Sequence, residues 1–366
     1  MSKKKYKILC LEPKKYYEDL GIFNNILEES NNNFIFQFNG NKKYKISDEE
    51  ILYFDLIISI HYTNYLSNFL IIKAKKNGVK TLLLADGIMD WSNFFNNPKQ
   101  LKKNLNLYHP IIHDHFWTVG KFEKEYFMYR GQKTNFYLPS RILKVGNVFN
   151  LPKQNKILVT TANTAYFNEI EKIALINSLK EIKKNIEEKN IEVVYRIFDE
   201  NLLSELKIEP QNNNIISEFD DILKEVSSVI TTPSSITINA MFHNRSVGQI
   251  IYRDSPLFVQ SGWNLSSGYS ISSTIDSLLA REVKRMEFQK YQVSNYLAKD
   301  FNVNQELKKI IDFPIDNKKN QIEIQDYIDQ NLYGLLNSKT NINIENIVRK
   351  IYLKMKGKLK IKFFNF

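Results

Sequence analysis

Apolar residues occur along this chain in short unbroken runs, separated by stretches whose apolar positions recur at helical spacing. Tyr6–Leu11, Phe54–Ile60, Lys80–Ala85 and His113–Gly120 read as strands, and Tyr16–Glu29, Tyr65–Lys76 and Lys121–Arg130 as helices, the last ending at Gly131. A strand that is apolar on both faces must be covered on both, and a helix between successive strands supplies the crossover of a parallel pair. The first half therefore predicts a doubly wound sheet that closes near Lys144–Gly146. After the polar break Leu151–Asn155 the alternation restarts. Ile157–Thr161 and Ile191–Phe198 read as strands and Asn168–Glu188 and Phe219–Val226 as helices. A further strand then runs into Thr231, a short helix covers Ile236–His243, and another strand ends near Tyr252. Beyond about Asp276 the pattern is helical and polar. The expected fold class is α/β: two Rossmann-like, doubly wound parallel-sheet lobes, 1–150 and 151–310, facing each other across a cleft. A C-terminal helical extension and basic tail are expected over 311–366. Open sheets of this kind bind ligands beyond the carboxyl ends of their strands, so the residues expected there are the candidates for chemistry.

In the second lobe, Thr231-Thr232-Pro233-Ser234-Ser235 follows an apolar strand and precedes a helix. Hydroxyls and unpaired backbone N–H groups at a helix N-terminus suit a phosphate, and Thr232, Ser234, Ser235 and Thr237 are its candidate ligands. The same turn also reads as a plain N-cap, in which Ser234 or Ser235 satisfies the first amides of the helix. Thr160, Thr161 and Asn163 end the preceding strand as a second phosphate or ribose cradle. Arg196, at the rim, suits a diphosphate or carboxylate because its fork matches those oxygens; the alternative is a rim ion pair with Asp199 or Glu200. Glu218 is placed either to accept from ribose hydroxyls or merely to favour the start of a helix.

In the first lobe, the buried run Thr81–Ala85 ends at Asp86-Gly87, an acid at a central strand tip with a glycine that lets the chain turn. Asp86 is the candidate general base on an acceptor hydroxyl, and Gly87, Asp90 and Trp91 are candidate acceptor contacts, Trp91 by stacking on a sugar. Asp-Gly is also an ordinary turn dipeptide. His109, His113 and His115 fall within seven residues. His113 and His115 would share a face of a strand and are carried as candidate catalytic groups that protonate a leaving phosphate, the alternative being ordinary loop or acceptor-site histidines; a metal site finds no HExxH or compact carboxylate set to support it.

Composition sharpens this picture in three ways. The 366 residues, 43% of them hydrophobic, suffice for two lobes with their own cores, and no window offers the ~20 apolar residues of a membrane span. A single cysteine, Cys10, rules out an intrachain disulfide framework and fits a reducing cytoplasm. The net charge of +11 is concentrated informatively in Arg349–Phe366, where lysines alternate with Ile, Leu, Met and Phe and no acid occurs. That tail suits an anionic membrane surface at the inner face of the cell membrane, or simply a solvated basic element; no RNA-binding signature accompanies it, so nucleic acid is not expected. The absence of GxGxxG after the first strand, of GxxxxGK[ST] and of GxSxG argues against dinucleotide oxidoreductases, P-loop NTPases and α/β-hydrolases.

These features together resemble a GT-B glycosyltransferase, in which one lobe binds acceptor and the other a nucleotide-sugar. More narrowly, the chain is similar to bacterial surface-polysaccharide transferases of the sialyltransferase, polysialyltransferase and Kdo-transferase type. Asp86-Gly87 matches their acidic-Gly motif, with Ala85 where a second acid often stands, and Ser234-Ser235 matches their Ser-Ser motif. Their second-lobe His-Pro is replaced here by Arg196-Ile197-Phe198-Asp199, and the one His-Pro, His109-Pro110, is in the first lobe. The resemblance implies a capsule or lipopolysaccharide glycosyltransferase without cofactor or metal. It would take a CMP- or UDP-linked donor and a glycan or lipid-linked acceptor, with GDP- and CDP-linked donors also open. Polyol-phosphate transferases with a similar Ser-Ser turn, nucleotide-sugar epimerases and a non-catalytic sugar or nucleotide binder are the alternatives.

Overall fold

The computed structural model describes residues 5–21, 33–43, 45–62, 64–101, 108, 111–253 and 258–314. The basic tail, most of the expected extension, His109-Pro110 and the later part of the first expected helix lie outside the described residues, as does the side chain of Trp91.

Two wholly parallel sheets carry the fold. β1 (Tyr6–Cys10), β2 (Phe34–Gln37), β3 (Leu56–Ser59), β4 (Lys80–Leu84), β5 (His115–Val119) and β6 (Lys133–Tyr137) form a six-stranded sheet in the order β2-β1-β3-β4-β5-β6. β7 (Lys156–Thr160), β8 (Glu192–Arg196), β9 (Ser228–Thr231), β10 (Ser246–Ile250) and β11 (Trp263–Leu265) form the second, in the order β11-β10-β9-β7-β8. Strand order reverses between β1 and β3 and between β7 and β9, so each lobe has a crevice at the carboxyl ends of those strands. The central strands are the unbroken apolar runs: all four residues of β3 are buried, as are Thr81–Leu84 of β4. β2 and β6 are half-covered edges; β6 is of mixed polarity and β2 is only four residues long, so neither stood out as a strand.

The helices have local causes. Asn168 caps the long helix Glu169–Glu188 by accepting from the Glu171 amide at 2.9 Å, and that helix buries Leu175, Leu179, Ile182 and Ile186 against β7 and β8. The first helix is Lys14–Leu20, stopped by Gly21 at φ 68°, well short of the expected Glu29.

The chain crosses between the lobes twice. Phe149 and Asn150 are tied to the second lobe by the buried Arg245, whose guanidinium donates to the carbonyls of Phe149, Asn150, Leu223 and His243. The return leads to the helix Val303–Asp312, which begins inside the span expected for the second lobe. It packs Leu307 and Ile310 into the core of the first sheet beside Ile8, Trp117 and Tyr137. Between the lobes a shared cluster joins Met89, Phe94, Val119 and Phe127 to Ile238, Val259 and Tyr296.

Candidate functional site

The carboxyl edge of the first sheet presents Asp86. The hydroxyl of buried Tyr137 donates to the Ala85 carbonyl at 2.5 Å and so fixes where the chain leaves β4. Asp86 itself is 45% exposed and pairs with Arg141 at 3.4 Å, and a Cβ at Gly87 would meet that arginine's Nη2 at an ordinary 3.5 Å contact. Buried Glu12, beyond β1, accepts from the amides of Ile60 and His61 and from the Tyr17 hydroxyl, which braces the crevice between β1 and β3. His61 is a residue that sequence reasoning passed over. Ser59 is in register with Leu83, which brings His61 level with Ala85 at the same edge as Asp86. The available signal was its place just past the apolar run Leu56–Ile60.

The grouping of His115 with Asp86 is corrected by the strand register. His115 opens β5 and pairs with Leu82, so it lies at the amino edge, roughly 13 Å of strand from Asp86. His113 is wholly buried, its Nε2 bonded to Ser59 Oγ at 2.8 Å, and burial holds its pKa down to about 3. Burial likewise lowers His115 to about 4. Both shifts favour the neutral imidazole at neutral pH. Among the described residues no group of three or more His, Cys, Asp or Glu is placed to hold a metal.

At the carboxyl edge of the second sheet, Arg196, Thr160 and Thr231 are in one register row across β8, β7 and β9. Four of the candidate hydroxyls there are buried and hydrogen-bonded within the fold, Thr160 as donor and the other three as acceptors. Thr160 donates to the Arg196 carbonyl at 2.8 Å, Thr161 accepts from the Phe198 amide, and Thr232 accepts from the Ala162 amide at 2.8 Å. Thr237 is buried and accepts from Gln249. These four staple the crevice of β7 and β9. Ser234 and Ser235 differ: both are part-exposed, and Ser235, although at the N-cap position, makes no side-chain cap. The capping alternative is therefore not what Ser235 does. Asn163 is exposed on the neighbouring loop. Arg196 stacks over Phe198 at 4.6 Å, its buried Nε has no partner, and desolvation lowers its pKa against the opposing field of exposed Glu218.

Between the two edges stands a group of which the sequence singled out only Asp90, as an acceptor contact. Asp90 caps the helix Trp91–Phe95 through Oδ1, which accepts from Ser92 N, and its Oδ2 pairs with Arg253 Nη2 of the second lobe. Arg253 follows β10, and its Nη1 lies 3.8 Å from Glu171 Oε2. Its side chain is 3% exposed, with Asp90 at 10% and Glu171 at 8%. Burial raises the Asp90 pKa, partly offset by Arg253. The carboxyl ends of β4, β7 and β10 thus meet at one buried ionic cluster that spans the lobes.

No family model matches the sequence, and no curated protein matches it. Solved structures do match. A protein from Listeria monocytogenes, provisionally assigned as a UDP-N-acetylglucosamine 2-epimerase, superposes with a TM-score of 0.55 at 14% identity, over 84% of this chain and 96% of that one. The S. aureus protein MnaA, in a co-structure with UDP, gives 0.53 at 12% identity, over 84% and 96%. At such identities the likeness shows the fold, a GT-B-like pair of parallel-sheet lobes.

Proposed function

We propose that this protein is a nucleotide-sugar-dependent glycosyltransferase that extends a surface glycan of the capsule or lipopolysaccharide kind. The observation that carries the reading is the Ser234-Ser235 turn. Its hydroxyls stand at the carboxyl edge beside β9, uncommitted to the cap, while every neighbouring threonine is hydrogen-bonded within the fold. Ser234, Ser235 and Arg196 would take the donor phosphates, Asn163 and Glu218 the ribose side, and the Asp86–Trp91 loop the acceptor. Asp86 accepts the proton of the acceptor hydroxyl as its oxygen attacks the anomeric carbon. The carbon–oxygen bond to the nucleotide breaks, and the charge on the departing phosphate is offset by Arg196 and the amides of the turn. The MnaA co-structure supports UDP as the first ligand to try.

The Listeria neighbour favours a second reading, a nucleotide-sugar epimerase on the same site. The two separate by products, since a transferase consumes an acceptor hydroxyl and an epimerase returns a nucleotide-sugar. The test is calorimetric titration with CMP, CDP, UDP and GDP, followed by turnover of the donor that binds. Selective binding that survives Asp86→Asn while transfer is lost supports the transferase. Full turnover in Asp86→Asn removes Asp86 as base, and no binding of any nucleotide demotes the turn to a loop. Among the described residues no helix is long and apolar enough to cross a membrane; attachment at the inner membrane face would rest on Arg349–Phe366.

A further inference from the structure

Two buried arginines in the second lobe are partnered in opposite ways. Arg245 is a saturated staple, its Nε, Nη1 and Nη2 all donating to backbone carbonyls. Arg253 is equally removed from water, yet its Nε and Nη1 have no hydrogen-bond partner, and its one close contact is the Asp90 carboxylate from the opposite lobe. A buried guanidinium with most of its fork unmet is costly, and such a group persists where function asks for it. It is also held in place by stacking, over the rings of Phe167 at 5.0 Å and Tyr252 at 5.3 Å. Glu171, the second acid, is committed elsewhere, accepting from the Phe167 amide at 2.9 Å.

We propose that Arg253 is the cleft's phosphate-binding cation and that Asp90 is its exchangeable counter-ion, which a nucleoside diphosphate must displace. The proposal rests on the nucleotide-linked reading above and adds a residue outside the Ser234-Ser235 turn. The planar fork, with two groups unserved, fits phosphoryl oxygens bidentately, and Asp90 occupies the third. Because Asp90 belongs to the first lobe, a phosphate on Arg253 breaks the one ionic contact that ties the lobes at this point. Donor binding and lobe opening are thereby linked. Asp90 and Glu171 also repel an incoming anion, so removing the Asp90 charge should tighten binding.

The test compares wild type, Asp90→Asn, Arg253→Gln, Arg253→Lys and the Asp90→Asn/Arg253→Gln double variant by titration with UDP. Inorganic pyrophosphate is titrated in parallel. Asp90→Asn keeps the amide oxygen that caps Ser92, so its fold is retained. The expected result is about tenfold tighter binding in Asp90→Asn, about tenfold weaker in Arg253→Gln, partial weakening in Arg253→Lys, and a double variant no better than Arg253→Gln. Equal affinities across the series would overturn the proposal, as would tightening by Asp90→Asn that persists in the double variant. If UDP does not bind wild type, the nucleotide reading fails by itself, and the same ordering with pyrophosphate still upholds Arg253. Binding of neither UDP nor pyrophosphate overturns both.

Discussion

Single buried charges set much of this protein's response to pH and substitution. Glu123, wholly buried at the start of the helix Lys121–Tyr129, has no well-formed hydrogen bond to either carboxyl oxygen, and burial, opposed only by the amides of Glu123 and Met89, pushes its pKa up to about 8. The folded state therefore holds this proton more tightly than the unfolded chain. Its contribution is full below the ordinary carboxyl range near 4.5 and is lost as pH rises to about 8. Glu123→Gln should thus be more stable than wild type by about 3–5 kcal/mol above pH 8.5, with the gap closing toward pH 5. Denaturant unfolding at pH 5, 7 and 8.5 measures it, and parallel curves would show that the carboxyl finds a partner in solution. His113 works in the other sense: held neutral, it supports the fold above its ordinary pKa of 6.5 and withdraws that support as pH falls toward 3. Arg245 is a different kind of buried charge. Arg245→Ala leaves four backbone carbonyls short of donors and should cost at least about 3 kcal/mol. Removing exposed Lys184, paired with Glu188 at 3.7 Å, should change stability by less than about 0.5 kcal/mol in the same melts.

At the scale of elements, the Ser234-Ser235 turn and the cap at Asn168 make a controlled contrast. Asn168→Ala removes a formed cap and should cost about 1 kcal/mol of stability without touching ligand affinity. Ser234→Ala/Ser235→Ala breaks no hydrogen bond of the cap, so its melting temperature should stay within about 2 °C while UDP affinity drops about tenfold or more. A fall in melting temperature with unchanged affinity would make the turn structural. The helix before which Gly120 turns is just as constrained, for Gly120 sits at φ 97° and a Cβ would stand 2.4 Å from a ring carbon of Tyr296. These elements also show what can be read from residues alone. The central strands β1, β3, β4, β5, β7, β9 and β10 were legible because burial on both faces demands unbroken apolar runs, whereas β2, β6 and the three-residue β11 are short sheet edges without that demand; β8, also an edge, was legible from its own run around Val193–Phe198. Asp86 and Ser234-Ser235 were legible because a strand end followed by a turn residue marks a carboxyl edge. The place of His115 was not legible because a histidine at either end of a strand looks alike until register is known. Arg253 was hidden because its partner, Asp90, is far away in sequence, and no local pattern marks a contact between lobes.

For the whole molecule, the two crossings decide how the lobes can move. One connector is fixed to the second lobe by Arg245 and by Phe149, whose ring stacks on His243 at 3.7 Å. The other ends in the helix Val303–Asp312, anchored on the first sheet by Leu307 and Ile310, by Asn135 Nδ2 donating to Glu306 at 2.8 Å, and by Phe301 edge-on to Trp117. Two anchored connectors leave chiefly a rotation about the line that joins them, the motion by which a cleft opens and closes. Leu307→Ala should therefore act on the first lobe first. Loss of a fully buried leucine costs about 2–5 kcal/mol, and native-state hydrogen exchange should quicken in β1 and β5, which the helix covers. Protection in β7 and β9, and UDP binding at the intact Ser234-Ser235 turn, should hardly change. If protection falls equally in both sheets, the lobes unfold as one unit, and the Asp90–Arg253 contact with the shared cluster around Phe94, Ile238 and Tyr296 joins them more firmly than a hinge allows. Pairing Leu307→Ala with Asp90→Asn separates these cases. Independent lobes give additive losses confined to their own sheets, while a single unit gives a loss that spreads to β7 and β9 only while Asp90 is present.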